Sequence, residues 1–579
     1  MDVSFVGTSP VRAPVLDGLR TLGLDPNETD IEAVEATSFV IVAGTSEEDL
    51  LDRASLHLDR PWIGIELGGM GGLEIEGILG SIAVFAGDRG PCHRCLHTRL
   101  KAVDATLEAG AVDVDQTTAS YAGVRAARLL GHLDADGIDP YLGTVDEIDG
   151  GRRQLLPVPG CTCAGQTDRH TLTLSSDGYD LDEALDRAEM TIDERLGIVA
   201  EVGEQASFPT PYYLARLADT SGFSDRKAAE LAAGVDHDWN GSFMRALGEA
   251  LERYCAGIYR LKALSSEPTG QPVELDRLAL TRDEDTPLGP WWPGVDLEDQ
   301  SPVSLPAEAV VFPPPSEADL AGITTGLGFG SSSVAAILRG LLEVVERDAC
   351  MLAWYSTFDP IGLRVETEGY RTIERRIASE GLGATSLLVT QDIDIPVVTA
   401  VVHRRDVEGD PMVSVPGTDN GDWPAFAVGS AAAFDPSHAA ERALAEATQN
   451  WMELRSMGPV RAKSEGAIAR FATFPRKARG LITMEHVVPA DSVGPDETPQ
   501  GENALERAIE AVTAVGLDVY ASRLTTPDIE QLGFEAARVI VPEAQPLVRE
   551  TTPMTERLRE VPPTLGFRPR LDRGPHPYP

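Results

Sequence analysis

The chain has 579 residues, a formal net charge of −43 and 42% hydrophobic residues. That length exceeds one small domain and leaves material for two or more cores. The charge excludes nucleic acid and anionic membrane as main partners, because both are bound by clustered Lys and Arg.

The basic residues are nearly all Arg; only Lys101, Lys227, Lys262, Lys463 and Lys477 are lysines. Such a diffuse acidic surface is expected of a halophilic, archaeal-type cytoplasm, where salt near 1 M screens charge beyond roughly 3 Å. An ordinary acidic protein is the alternative. The opening MDVSFVGTSPVRAPV has no basic segment followed by an apolar one, so no signal peptide is read. The apolar runs SFVIVAG and GILGSIAVFAG fall short of the ~20 residues that span a bilayer. A cytoplasmic, soluble protein is expected. Six cysteines in so long a chain do not read as a disulfide scaffold.

In chain order, DVSFVG, SFVIVAG and PWIGIELGG read as strands. APVLDGLRTLG and SEEDLLDRASLHL read as helices between them. This alternation predicts a parallel sheet with helices on its faces. GGMGG, Gly68 to Gly72, follows the third strand but lacks the G-x-G-x-x-G spacing, so no nucleotide is placed there. Cys92 and Cys95 form a C-x-x-C, and Cys161 and Cys163 a C-x-C. Two close thiolate pairs suit a structural Zn²⁺; four unrelated reduced thiols are the alternative. A redox C-x-x-C is disfavoured because GPCHRC shows no helix start. His93 and His97 read as exposed loop residues.

A polar, acidic stretch ending in SSDGYDLDE reads as a linker over residues 166–190. A larger α/β unit runs from residue 191, with PTGQP, WWPGVD and VVFPPPSEADLAG as Pro-rich connections and PVVTAVVHR and ARVIVPEAQPL as strands. Three segments in it fit Arg-x-Leu-x-Glu-x-x-Glu/Gln: RALGEALER, RGLLEVVER and RALAEATQN. Helical spacing puts Glu249 beside Glu252, Glu343 beside Glu346, and Glu446 beside Gln449. Small-residue turns, GLGFGSSS and AVGSAAAFDPS, precede the second and third. Asp435 is the expected N-cap of the third, with Pro436 at its first position. Cys255 and Cys350, just past the first two pairs, read as small buried residues.

Exposed helices with ordinary Glu–Arg pairs would explain any one segment. Three copies about a hundred residues apart match no solenoid period and point to one acidic cleft. Unpaired buried carboxylates are costly, so Arg or a cation must neutralise them. Hard oxygen ligands suit Mg²⁺, which commonly shares its shell with phosphate and water. Neither a Walker loop nor a kinase signature is present, so Arg253 and Arg347 are the candidate phosphate partners. The chain closes on Pro575, Pro577 and Pro579. Alone, that reads as a polyproline-II tail or a ligand for a Pro-binding domain.

Together, ALGEALERYCAG, GLGFGSSSVAAILRGLLEVVERDA and VGSAAAFDPSHAAERALAEATQNW resemble the YcaO family over residues 191–579. The resemblance implies an α/β (α+β) fold and an ATP-using enzyme that activates a peptide backbone amide. It places ATP on Glu252, Arg253, Glu346, Arg347, Arg442 and Gln449. It places Mg²⁺ on Glu249, Glu252, Glu343, Glu346 and Glu446. GPCHRCLHTRL is similar to the Cys-bearing region of degenerate E1/ThiF-like domains, implying a docking domain over residues 1–165. The tail, 575–579, resembles that of azoline-forming members, in which the terminal carboxylate, here of Pro579, enters the active site as general base or substrate orienter.

The chain departs from the family pattern at three places. Arg245 replaces a Ser, Thr325 replaces an Asn, and AAGVDHDWNGS lacks a Lys. The resemblance implies a cyclodehydratase that makes azolines from Cys, Ser or Thr of a ribosomal precursor peptide. It implies a homodimer, with a leader-binding E1-like protein and a flavin dehydrogenase as possible partners. Thioamide formation is the alternative chemistry, and a non-catalytic peptide-binding scaffold the alternative class.

Overall fold

The computed structural model describes residues 2–34, 39–87, 90–164, 170–274, 277–278, 290–315, 323–405, 423–462, 466–473, 475–549 and 552–578. Strands Val3–Gly7, Phe39–Thr45 and Trp62–Leu67 pair in parallel, with helices Arg12–Thr21 and Leu50–His57 between them. Their centres (Val40 to Ala43, Ile63, Ile65) are fully buried, as expected of strands covered on both faces. Helix Arg12–Thr21 crosses helix Gln116–Asp136 at Gly18 and Gly123. A Cβ on Gly18 would lie 2.0 Å from the Ser120 carbonyl, so only glycine permits this approach.

The expected parallel sheet forms in its first half, and its second half reverses. Gly80–Phe85, Thr144–Glu147 and Arg152–Gln154 join antiparallel, making a seven-stranded mixed sheet. The stretch expected to be a linker is docked. Helix Leu181–Glu189 forms within it, the Ser175 amide donates to Ser333 Oγ at 2.8 Å, and the Val334 amide donates to the Ser175 carbonyl at 3.1 Å.

The rest of the chain builds three sheets of three, six and five strands. Each ends in an edge strand that leads into one glutamate helix. Leu231–Val235 precedes helix Trp239–Gly257, Leu327–Gly330 precedes Ser333–Trp354, and Phe426–Ala432 precedes Pro436–Ala462. The small-residue turns expected before the second and third helices are therefore strands. Their glycines serve close packing: a Cβ on Gly234, Gly328 or Gly429 would come within 2.2, 2.0 or 2.4 Å of the helix that follows. WWPGVD is likewise strand Trp291–Asp296, an interior member of the six-stranded sheet.

One hydrophobic core runs through both regions, packing Leu96 and Leu100 with Leu247, Leu251 and Tyr254. A buried polar joint crosses it. Arg99, 1% exposed, donates to Asp528 Oδ2 at 2.6 Å, and the Tyr254 hydroxyl donates to the same oxygen at 2.6 Å. Among the described residues no helix is long and apolar enough to cross a membrane.

Candidate active site

Each glutamate helix starts on a side-chain cap. Asp238 accepts from the Gly241 amide at 2.8 Å, Ser332 from Ala335 at 3.2 Å, and Asp435 from Ser437 at 2.8 Å. The first glutamate of each repeated motif then reaches back to its own sheet. Glu249 accepts from the Ala233 amide at 3.4 Å, Glu343 from Gly326 at 3.0 Å, and Glu446 from Ser430 at 2.6 Å. The repeat in sequence is thus a repeat in space, three strand–helix units presenting one carboxylate each.

The three units converge. Ser430 Oγ, beside the third helix, donates to Glu346 Oε1 of the second at 2.7 Å. Burial, and then Glu343 and Glu249, push Glu252 up to about 8. Burial and Glu346 push Glu446 up to about 7 and also raise Glu343. Desolvation and like-charge crowding are the physical causes. Arg253 stands 3.2 Å from Glu249, while Arg347 stands 3.7 Å from Glu343 and 3.8 Å from Glu346. Gln449 donates to Glu453, which also accepts from the Tyr212 hydroxyl.

These residues fit a metal–phosphate group. The carboxylates crowd one another, and buried donors lack acceptors: Arg253 Nε and Arg347 Nε and Nη1 have no hydrogen-bond partner among the described residues. No three of the glutamates bring oxygens within 4.8 Å of one another among those residues. That spread suits Mg²⁺, which keeps water and phosphate oxygens in its shell, better than a closed protein cage.

Sequence reasoning missed several neighbours. Arg538, 3% exposed, donates through Nη2 to the Ile323 carbonyl, while its Nε and Nη1 have no hydrogen-bond partner. It faces Glu343 and Glu252, and burial pulls it down to about 10. A lone Arg in the apolar run AARVIV was the available signal. Arg538 and Thr325 also line a cavity with Val344, Val541 and Gln545. Asp348, the residue after Arg347, is braced by Arg557 at 2.7 Å. Arg245 donates to Asp236 Oδ2 at 2.6 Å.

Pro579 lies outside the described residues, but the tail before it is anchored. Arg573 stacks on Trp354, whose indole donates to the Gly574 carbonyl at 3.0 Å. Tyr578, 2% exposed, meets Thr399 Oγ1 at 3.1 Å. Cys350 is buried beside the same Thr399, and Cys255 is buried on the first glutamate helix. His576 Nε2 donates to the Val548 carbonyl at 2.8 Å, and burial lowers its pKa from 6.5 to about 4.

A lowered histidine pKa favours the docked tail fully above 6.5 and loses that contribution as pH falls toward 4. Trp354 emission should therefore shift across that window and not in His576→Gln. A flat wild-type profile would refute the coupling.

The four expected zinc ligands come together. Cys92 Sγ lies 3.8 Å from Cys95 and 3.7 Å from Cys161, and Cys95 lies 3.3 Å from Cys163. None is in a disulfide. A tetrahedron of thiolates at a Zn–S distance of about 2.3 Å has S–S edges of about 3.8 Å, so the donor set fits zinc.

Two expectations here are corrected. Cys92 is the N-cap of helix His93–Val103, so a helix does start at this C-x-x-C. His93 and His97 lie on that helix rather than in an exposed loop. His97 Nδ1 bonds the Gly71 carbonyl. His93 is buried between Glu66 at 3.0 Å and Asp52 at 2.6 Å. Burial opposes its charge, but the two carboxylates push it up to about 10. Glu66 also accepts from the Gly71 and Gly72 amides at 2.8 and 2.6 Å. The glycine amides that could cradle a phosphate are filled by the chain's own carboxylate.

The profile of the family described as YcaO cyclodehydratase, ATP- and Mg²⁺-binding, matches residues 237–545. The chain is similar in fold to a heterocyclase solved in complex with substrate and cofactor. That match has 17% identity and a TM-score of 0.72, and covers 100% of this chain and 84% of the other. The heterocyclase TruD is similar at 17% identity and a TM-score of 0.64, over 98% of this chain and 82% of its own. YcaO from Methanopyrus kandleri, bound with AMPPCP and Mg²⁺, is 26% identical over 64% of this chain and 94% of its own, with a TM-score of 0.49. Comparison with curated protein sequences gives no match. The match across all three glutamate helices makes the chain a member of the YcaO family of ATP- and Mg²⁺-binding cyclodehydratases.

Proposed function

We propose that the protein converts Cys, Ser or Thr residues of a ribosomal precursor peptide into azolines at the expense of ATP. The side chain attacks the preceding backbone carbonyl carbon, giving a hemiorthoamide. Its oxygen takes the γ-phosphoryl group and leaves as phosphate as the ring C=N bond forms. Residues 1–165 serve as a degenerate E1/ThiF-like docking domain held by zinc on Cys92, Cys95, Cys161 and Cys163. Residues 191–579 carry the reaction in a salt-rich cytoplasm. A homodimer, a leader-binding partner and a flavin dehydrogenase belong to the same reading.

The observation that carries it is the threefold presentation of carboxylates from matching strand–helix units. Glu249, Glu252, Glu343, Glu346 and Glu446 would hold Mg²⁺, which when bound neutralises phosphate charge. Arg253, Arg347, Arg442 and Gln449 orient ATP from the faces beside them. Glu252 and Glu346, which share those faces, bound the nucleotide site. The carboxylate of Pro579, delivered by the anchored tail, orients the amide or accepts its proton. Mass spectrometry of candidate peptides with ATP tests this reading. Loss of about 18 Da per ring, one water per condensation, is expected. It should vanish in Glu343→Ala and in protein lacking residues 575–579. A gain of sulfur in place of oxygen would point to thioamide formation instead.

A further inference from the structure

We propose that Arg245 and Arg339 join Arg442 in a cationic triad that grips the phosphate chain of the nucleotide, one helical turn before the first glutamates. The proposal rests on the ATP-dependent reading above.

The repeat supplies the geometry. Arg245, Arg339 and Arg442 each precede the backbone-anchored glutamate of their helix (Glu249, Glu343, Glu446) by four residues, which is about one turn. The helices converge, so the three guanidiniums do too. Arg442 is repelled by Arg245 and Arg339, and Arg339 by Arg245. His438, one turn earlier on the third helix, is also within reach of Arg442 and Arg245.

This positive charge is poorly answered by the protein. Among the described residues neither Arg339 nor Arg442 has a hydrogen bond or ion pair. Arg245 has Asp236 at 2.6 Å, but Asp236 also serves His237 at 2.7 Å. The attractive carboxylates, Glu252 for Arg339 and Glu346 and Glu446 for Arg442, are those assigned to the metal. Arg339 is exposed, and Arg245 and Arg442 are half-buried, so a ligand can reach all three.

Three converging cations one turn from the glutamates are the complement of a polyanion. Guanidinium forks match phosphate oxygens, and charge on a migrating phosphoryl group needs fixed donors.

The test uses the full chain with Mg²⁺ and compares ATP, inorganic tripolyphosphate and adenosine by calorimetry. Arg245→Gln and Arg339→Gln should each weaken ATP and tripolyphosphate about tenfold, and leave adenosine unchanged. Arg339→Lys should fall between wild type and Arg339→Gln. Ligand-free Arg339→Gln should melt no lower than wild type, because it relieves repulsion rather than removing a contact. Unchanged tripolyphosphate affinity in both Gln variants overturns the proposal. So does slower cyclisation with ATP and tripolyphosphate binding intact, since the anion would then lie on the peptide. Failure of the wild type to bind ATP at all would instead overturn the ATP-dependent reading, and the triad with it.

Discussion

Glu346→Gln should lower ATP-dependent turnover by about a hundredfold or more while leaving the fold intact. Glu346 is 7% exposed, and its Oε1 accepts from Ser430 at 2.7 Å. Glutamine keeps that hydrogen bond and the shape but removes the charge that would hold a metal. The ligand-free protein should not suffer. Burial and neighbouring carboxylates already push Glu252, Glu343 and Glu446 up, so the carboxylates of the unloaded cleft repel one another. Removing the Glu346 charge relieves its repulsion of Glu343 and Glu446, which offsets the lost attraction to Arg347 at 3.8 Å. The paired measurements are thermal unfolding without ligand and phosphate release with ATP, Mg²⁺ and peptide. An inactive variant that has also unfolded would leave Glu346 a structural role. Full activity would remove it from the site.

Cys95→Ser should release one zinc per chain and destabilise the N-terminal region far more than an ordinary surface substitution. Structural zinc contributes roughly 10–16 kcal/mol to small domains, and three remaining thiolates retain only part of such binding. The loss should travel. Helix His93–Val103 begins at the cluster and carries Arg99, which is buried against Asp528 and Tyr254. Tyr254 directly follows Arg253 on the first glutamate helix. Turnover should therefore fall in Cys95→Ser although no residue near the glutamates has changed. Elemental analysis and chelator titration followed by thermal unfolding decide the matter. Metal-free protein that melts like the untreated sample would show that the thiols are not a structural site.

The glutamate helices were legible because an acid followed at i+3 by an acid or amide, on an apolar stripe, recurs three times, which ordinary exposed Glu–Arg pairs do not explain. The strands before them were not. LGFG and AVGSAA are rich in small residues, and the glycines needed for contact with the helix look like turn formers from the sequence. WWPGVD hid a central strand behind Pro293. The parallel half of the first sheet followed from alternating strands and helices. The reversal at Gly80–Phe85 did not, since an apolar run carries no direction. His93 looked exposed because its partners Glu66 and Asp52 are far away in sequence, and a buried cation is intelligible only with both in view. Arg245 gained a meaning only once the three helices were seen to converge.

The central claim is that the peptide's own amide oxygen becomes the phosphate oxygen. A peptide carrying heavy oxygen at the carbonyl preceding the cyclised residue tests it most directly. With ATP, Mg²⁺ and the full-length protein, the label should appear in released orthophosphate, one equivalent per ring formed. Ring formation with unlabelled phosphate and the heavy atom lost to water would contradict the account.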